Sequence, residues 1–248
     1  MKVVYDEYMQ MEESMIKQIF LENKIEITDH QEEQLQRYYE LLIEWNEKIN
    51  LTAITEYKEV IYKHFLDSSL IIKSDLFSKE DSVSVLDLGT GAGFPGIVLA
   101  VLCPQYRFAL VDSLMKRIEF LHIIKDELKL DQVSLYHGRA EDLGRQEEFR
   151  NQFDYVVSRA VAELPVLLEY CIPFVKENGY FISYKGKKYQ EEIDHSYNAL
   201  QVLDSDIKKI EEYKLLDEDR FLIYIENHSL TDDRYPRRAG KVKKNPLY

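Results

Sequence analysis

Cysteine, glycine and proline are scarce in this chain of 248 residues, which has two Cys, nine Gly and six Pro. Cys103 and Cys171 lie at unrelated positions in apolar surroundings, too few for a disulfide framework, and read as buried free thiols. The small Gly and Pro content excludes collagen-like and low-complexity classes, and the first 75 residues contain neither. No run reaches the roughly 18 apolar residues of a membrane helix. The start, M-K-V-V-Y-D-E-Y, turns acidic at once and lacks the apolar stretch of a signal peptide. A reducing, cytoplasmic compartment with no membrane partner is therefore expected. Basic charge is short too: 32 Lys+Arg face 45 Asp+Glu, a net charge of -13. That argues against a general polyanion binder, because non-specific nucleic-acid affinity comes from Lys and Arg neutralising phosphates.

What is present is bulk for a core. The chain is 45% apolar with 18 Tyr and 11 Phe, which excludes a largely disordered chain. The length fits one large domain, with or without a small appendage. Residues 1 to about 75 read as helical, since apolar positions recur at three and four: Met15, Ile16, Ile19, Phe20, then Leu35, Tyr38, Leu42, Trp45, Ile49. Thr28 with Gln31 and Asp29 with Glu32 form overlapping capping boxes at the start of the second helix. A third helix is predicted from Tyr57 to Ile72.

From Ser82 onward, short apolar runs alternate with helical periods. Strands are predicted at 83–88, 106–112, 132–136, 154–158, 179–184 and 221–225, with a weak one near 207–213. Helices are predicted at 95–103, 114–129, 163–175 and 187–202. This alternation implies a doubly wound α/β fold with a mostly parallel, seven-stranded sheet. The last two strands, with no convincing helix between them, imply an antiparallel hairpin at one edge. The expected organisation is a helical extension at 1–78, an α/β core at 79–233 and a basic arm at 234–248. The arm has six bases and no acid; setting those six aside from the 32 leaves 26 bases against 45 acids, or -19, in the body.

The most specific feature is D-L-G-T-G-A-G-F-P-G, Asp87 to Gly96, between a strand and a helix. Glycines there permit a tight turn and close approach of a ligand, and Pro95 suits a first helical turn. Asp112 ends the next strand, 19 residues past Gly93, where an acid can accept hydrogen bonds from ribose hydroxyls. The loop is thus expected to bind an adenosine-type ligand. Gly91-x-Gly93-x-x-Gly96 also satisfies a dinucleotide pattern, so NAD stays open. S-adenosylmethionine is favoured by Asp87, which would repel a pyrophosphate but hold the ammonium of a methionine moiety.

Fourth-strand residues Ser158-Arg159-Ala160-Val161 stand where enzymes that methylate exocyclic amines carry an Asn/Asp-Pro-Pro-aromatic motif, which is absent. Carbon methylation of a pyrimidine needs an activated Cys, and neither cysteine falls near the loop tips. The six His are scattered, with no metal-ligand spacing, and no metal is expected. What remains is chemistry needing no strong base, such as attack by the free lone pair of guanine N7.

Several segments together carry a resemblance: Trp45-Asn-Glu-Lys-Ile-Asn-Leu-Thr-Ala-Ile54, His64-Phe-Leu-Asp67-Ser, the glycine loop, Asp112-Ser-x-x-Lys116-Arg117, Gly138-Arg-Ala-Glu141, Ser158-Arg-Ala160 and Tyr235-Pro-Arg-Arg-Ala-Gly240. The sequence resembles the RsmG (glucose-inhibited division protein B) family of bacterial 16S ribosomal RNA guanine-N7 methyltransferases. The resemblance covers all but residues 1–12. It implies a Rossmann-like fold, S-adenosylmethionine as methyl donor, and 16S ribosomal RNA, free or within the 30S subunit, as partner of a monomer. Gly89, Gly91, Gly93 and Phe94 would line the cofactor loop, Asp112 would hold the ribose, and Ala140 and Glu141 would bracket the adenine. Arg159 would reach the cofactor or the target base. Lys116 and Arg139 would orient the guanine or contact RNA, and Arg237, Arg238 and Lys241 would contact RNA. His64 and Asp67 read either as a local pair packed on the sheet or as catalytic groups. Lys185, Lys187 and Lys188 read as a solvated helix start or a phosphate contact.

Overall fold

The computed structural model describes residues 15–77 and 82–248. The expected boundary at 78/79 and the unshared segment 1–12 lie outside the described residues. Seven strands form one sheet: β1 (Ser84–Leu88), β2 (Arg107–Asp112), β3 (Val133–His137), β4 (Phe153–Arg159), β5 (Val175–Lys185), β6 (Ser205–Leu215) and β7 (Glu218–Asn227). Their order is β3-β2-β1-β4-β5-β7-β6. β7 runs antiparallel to both β5 and β6, and all other pairs are parallel. The chain winds outward from β1 through β2 to β3, then resumes at β4 on the other side. The crevice at the carboxyl ends of β1 and β4 is the switch point where such sheets bind ligands.

Apolar side chains pack on both faces of the sheet. One face is covered by the helical segment 15–22, the long helix Asp29–Ile49, and the helices Gly96–Leu102 and Met115–Leu128. The other carries helix Leu164–Cys171 and the pieces around 189–202. The long helix starts with the Thr28–Gln31 capping box. Asp29, expected to open a second box, is already the first helical residue, and the Glu32 carboxylate accepts the Lys17 backbone N–H. Along its inner face the helix buries Leu35, Tyr38, Leu41 and Leu42. Gln31 and Gln34 donate to the carbonyls of Val101 and Leu128 at 3.0 and 2.7 Å. The N-terminal helices are thereby fastened to the sheet.

The helices and the edge strand depart from the sequence expectation at three places. The helix predicted from Tyr57 is α-helical over Tyr57–Val60, then passes through a π-helical turn at Ile61–Leu66 before Asp67–Ser69 and a 3-10 turn at Leu70–Lys73. The predicted helix 187–202 is split into Tyr189–Asp194 and Tyr197–Val202. At the break, the buried Ser196 donates its hydroxyl to the Glu192 carbonyl at 2.6 Å, a local bond that competes with the helical ladder. The weak strand near 207–213 is instead a full edge strand of 11 residues. Its paired charges, Lys208-Lys209 and Glu211-Glu212, obscured it in sequence, and such charges are what protect an exposed edge from pairing with another chain.

Candidate active site

The glycine loop leaves β1 with Gly89, Gly91 and Gly93 at φ +75°, +62° and +107°. Two carboxylates brace it. Asp87 Oδ2 accepts the Gly96 N–H at 2.8 Å from beneath. Asp112, at the end of β2, accepts the Gly91 N–H at 3.0 Å through Oδ2 and the Leu114 N–H at 2.9 Å through Oδ1. The Tyr38 hydroxyl crosses from the long helix to donate to the Ala92 carbonyl at 2.5 Å. These bonds hold the loop in a shape that its own sequence could not maintain.

Asp87 is fully buried, and burial pushes its carboxyl up to about 7 against the pull of the Gly96 amide. A carboxyl raised in the folded state favours folding fully below its ordinary pKa of 3.8, and that contribution fades as pH rises through about 7. Asp87→Asn removes the titration while keeping the shape. We expect its stability relative to wild type to be more favourable at pH 8 than at pH 5, read by thermal unfolding at both. A pH-independent difference would mean Asp87 does not titrate in this range.

Two cavities open at the switch point. One, of about 370 Å³, is lined by Gly89, Asp112, Arg139, Ala140 and Glu141. The buried Glu141 accepts the Tyr170 hydroxyl at 3.1 Å. The second, of about 630 Å³, lies beside the end of β4, with His64, Asp67, Arg159 and Lys185 on its wall. Val161 lines both. A Cβ at Gly89 would come within 2.4 Å of Val161 Cγ2, so glycine lets the loop pass beneath this divider. Ala160, just before it, takes a left-handed φ of +57° that turns the chain away from β4.

Arg159 organises the second cavity. Its Nη1 donates to Asp67 Oδ2 at 2.7 Å and to the Lys63 carbonyl at 3.1 Å, and its Nη2 faces His64 Nδ1 at 3.3 Å. His64 Nδ1 thus lies between a guanidinium, which only donates, and the Lys63 carbonyl at 3.2 Å, which only accepts, while its Nε2 is 2.8 Å from the Thr52 hydroxyl. The His64 ring stacks on Phe94 with centroids 4.5 Å apart, and the Arg159 guanidinium carbon sits 5.2 Å from the same ring. Burial, reinforced by the Arg159 charge, lowers His64 to about 3, so it is neutral at physiological pH. Asp67 receives a second cation, Arg220 Nε at 3.5 Å. His64 and Asp67 therefore meet through Arg159 rather than as a local pair. The π-helical turn that carries His64 is a form frequent at functional sites.

The other singled-out residues are placed as follows. Asp87, Gly91, Gly93 and Phe94 shape the loop from below and line neither cavity. Lys116 is exposed on the helix after β2. Lys185 is not a solvated helix start, because it is held by Glu192 at 2.6 Å and the Ala162 carbonyl at 2.8 Å. Lys187 and Lys188 are exposed. In the tail, Arg238 and Lys241 are exposed, whereas the Arg237 guanidinium is spent on the buried Glu169 at 2.6–3.0 Å. Arg220 and Lys63 were missed: Arg220 lies in the hairpin strand β7, where nothing in the linear pattern points to the switch point. Cys103 and Cys171 are buried and free, with burial pushing Cys103 up to about 12 and raising Cys171 as well. Asp206, Glu226 and His228 cluster at the β6–β7 edge, and none of the three lines either cavity.

The sheet order, the braced glycine loop and the acid closing β2 define the Rossmann-like fold of S-adenosylmethionine-dependent methyltransferases. A solved S-adenosylmethionine-dependent methyltransferase from Aquifex aeolicus shares this fold, with a TM-score of 0.53 at 17% identity, over 68% of this chain and 93% of that one. Fibrillarin from Aeropyrum pernix, crystallised with S-adenosylmethionine, gives a TM-score of 0.51 at 15% identity, over 66% and 75% of the two chains. The model of the GidB family, rRNA small subunit methyltransferase G, matches residues 31–220. Ribosomal RNA small subunit methyltransferase G of Alkaliphilus metalliredigens is 49% identical over 223 residues, covering 89% of this chain and 92% of the relative. The Streptococcus sanguinis protein of that name is 45% identical over 231 residues, covering 93% and 97%. This chain belongs to the rRNA small subunit methyltransferase G family.

Proposed function

We propose that this chain transfers a methyl group from S-adenosylmethionine to N7 of a guanine in 16S ribosomal RNA. The observation that carries this reading is the pair of adjoining cavities with Val161 between them. The smaller cavity suits an adenosine-type ligand: Asp112 and Glu141 present carboxylates, the partners that ribose hydroxyls and an exocyclic amine need. Gly89, Asp112, Ala140 and Glu141 would hold the cofactor, which when bound supplies an electrophilic methyl on sulfur. Asp87, fully buried, braces the loop by accepting the Gly96 N–H.

The larger cavity would take the guanine. N7 attacks with a lone pair and loses no proton, so the chain's task is to place that atom and exclude water. His64 suits this as a neutral, stacked wall rather than a general base. Arg159 can offer a donor to O6, the acceptor beside N7, while Asp67 balances its charge. The raised cysteine thiols supply no thiolate for carbon methylation. Lys116, Arg139, Arg238 and Lys241 are exposed cations that would meet RNA phosphates. The acidic body would discourage loose binding elsewhere. The protein acts in the cytoplasm, as a monomer.

The test is methylation with radiolabelled cofactor of naked 16S RNA and of 30S particles from a strain lacking the gene, followed by cleavage at 7-methylguanine and primer extension. One new stop is expected on one of the two substrates. Label incorporated elsewhere, or none on either, would refute the reading.

A further inference from the structure

The tail after β7 reads in sequence as an arm for RNA, but the fold uses it differently. It is strapped down at successive points. Arg150 donates to the carbonyls of Thr231 and Tyr235 at 2.5 and 2.8 Å, and Arg145 donates to that of Pro236 at 2.6 Å. Arg237 then pairs with Glu169, which has 0% exposure, through Nε and Nη2, and its backbone N–H reaches the same carboxylate at 2.7 Å. Arg237 Nη2 also donates to the Asn245 carbonyl at 2.9 Å, closing the short helix Lys241–Lys244 into a loop. Val242 within that helix is fully buried in the core beside helix Leu164–Cys171. An ion pair as buried as Arg237–Glu169 is costly to break, since it would leave an uncompensated charge inside the fold.

What the strap positions is specific. Gly240 and Lys243 lie on the lining of the smaller cavity, with Asp112 and Glu141. Glu169, which pins the tail, is followed on the same helix by Tyr170, which bonds Glu141. One rigid helix thus sets both the tail and the far wall of the cavity. The cavity's carboxylates already have donors: Gly91, Leu114 and Arg117 for Asp112, and Tyr170 for Glu141. Its cations are Arg139 and Lys243. An adenosine brings ring nitrogens that can only accept, so a wall placed against it needs donors.

We propose that the C-terminal tail is a structural wall of the cofactor site, in which Lys243 donates to the adenosine end of the ligand and the Arg237–Glu169 pair holds it there. The proposal rests on the S-adenosylmethionine reading above. The tail lies beyond the stretch matched by the family model, which ends at 220.

The experiment is calorimetric titration of the full chain, without RNA, with S-adenosylhomocysteine and with 5′-methylthioadenosine, which lacks the amino-acid end. Lys243→Ala is expected to weaken both ligands by the same factor, about five- to tenfold, as for loss of one partly exposed charged hydrogen bond. Arg234→Ala makes the same charge change in the tail at a residue that lines neither cavity, and should leave both affinities as in wild type. Unchanged affinities in Lys243→Ala would overturn the proposal, leaving the tail to RNA alone. Weakening of S-adenosylhomocysteine only would also overturn it, by moving Lys243 to the carboxylate end. If wild type binds neither ligand, the methyltransferase reading itself falls, and that result is distinct from the other two.

Discussion

Replacing Arg159 with lysine is expected to lower kcat/KM for methyl transfer by at least about a hundredfold, the scale of a misplaced reacting group. The variant keeps a cation near Asp67, so the buried carboxylate is not left without a counter-charge. What it removes is the planar fork. Arg159 simultaneously reaches Asp67, the Lys63 carbonyl and His64 Nδ1, and lies over Phe94. A lysine ammonium is a point donor on a flexible stem and cannot serve all four. The π-helical turn and the loop residue Phe94 would then lose the side chain that ties them to β4. The shared wall between the two cavities would shift with them. Steady-state kinetics on the RNA substrate, with thermal unfolding as a control for folding, checks this. Turnover close to wild type in a folded variant would show that Arg159 is only a structural tie.

The second large effect concerns stability. Gly93→Ala is expected to destabilise the fold by roughly 3–5 kcal/mol, combining overpacking with backbone strain. At φ +107° an alanine is strained whatever the space, and here there is none. Its Cβ would fall 2.5 Å from the Tyr38 hydroxyl and 2.6 Å from Ile97 Cγ1. Tyr38 is fully buried and bonded to the Ala92 carbonyl, so it has nowhere to retreat. Gly91→Ala makes the contrast. Its φ of +62° lies in the left-handed region, and the nearest heavy atom to a new Cβ is 4.0 Å away. Its cost should be about 1–2 kcal/mol. Chemical denaturation of both variants tests the ranking, and equal losses would show that the loop relaxes around either side chain.

Two glycines two residues apart in one motif thus have different duties. Gly93 is closed in by Tyr38, Ile97 and Leu121 from three helices, whereas Gly91 presents its N–H to Asp112. The motif makes them look equivalent because a turn of either kind favours glycine. The crowding at Gly93 depends in part on Tyr38, far earlier in the chain, and linear spacing carries no such information.

The alternation of apolar runs and helical periods was sufficient to determine the doubly wound sheet, because side-chain periodicity follows from strand and helix geometry alone. The glycine loop and the acid at the end of β2 likewise announce a cofactor site, since backbone conformations open to few residues leave a mark on sequence. The antiparallel final hairpin was legible for the same reason, as no helical period separates β6 from β7. Placement of chemistry between distant segments was decided only by the tertiary structure. Asp67 and His64 look like neighbours on a helix, yet they converge on Arg159 from β4, and Arg220 joins them from β7. Six basic residues at the end of the chain look like an arm for RNA because charge is all a sequence shows there. Folding buries one of their partners, Glu169, and the buried charge requires Arg237 to answer it, which brings part of a charged tail, Gly240 and Lys243, onto the lining of the smaller cavity.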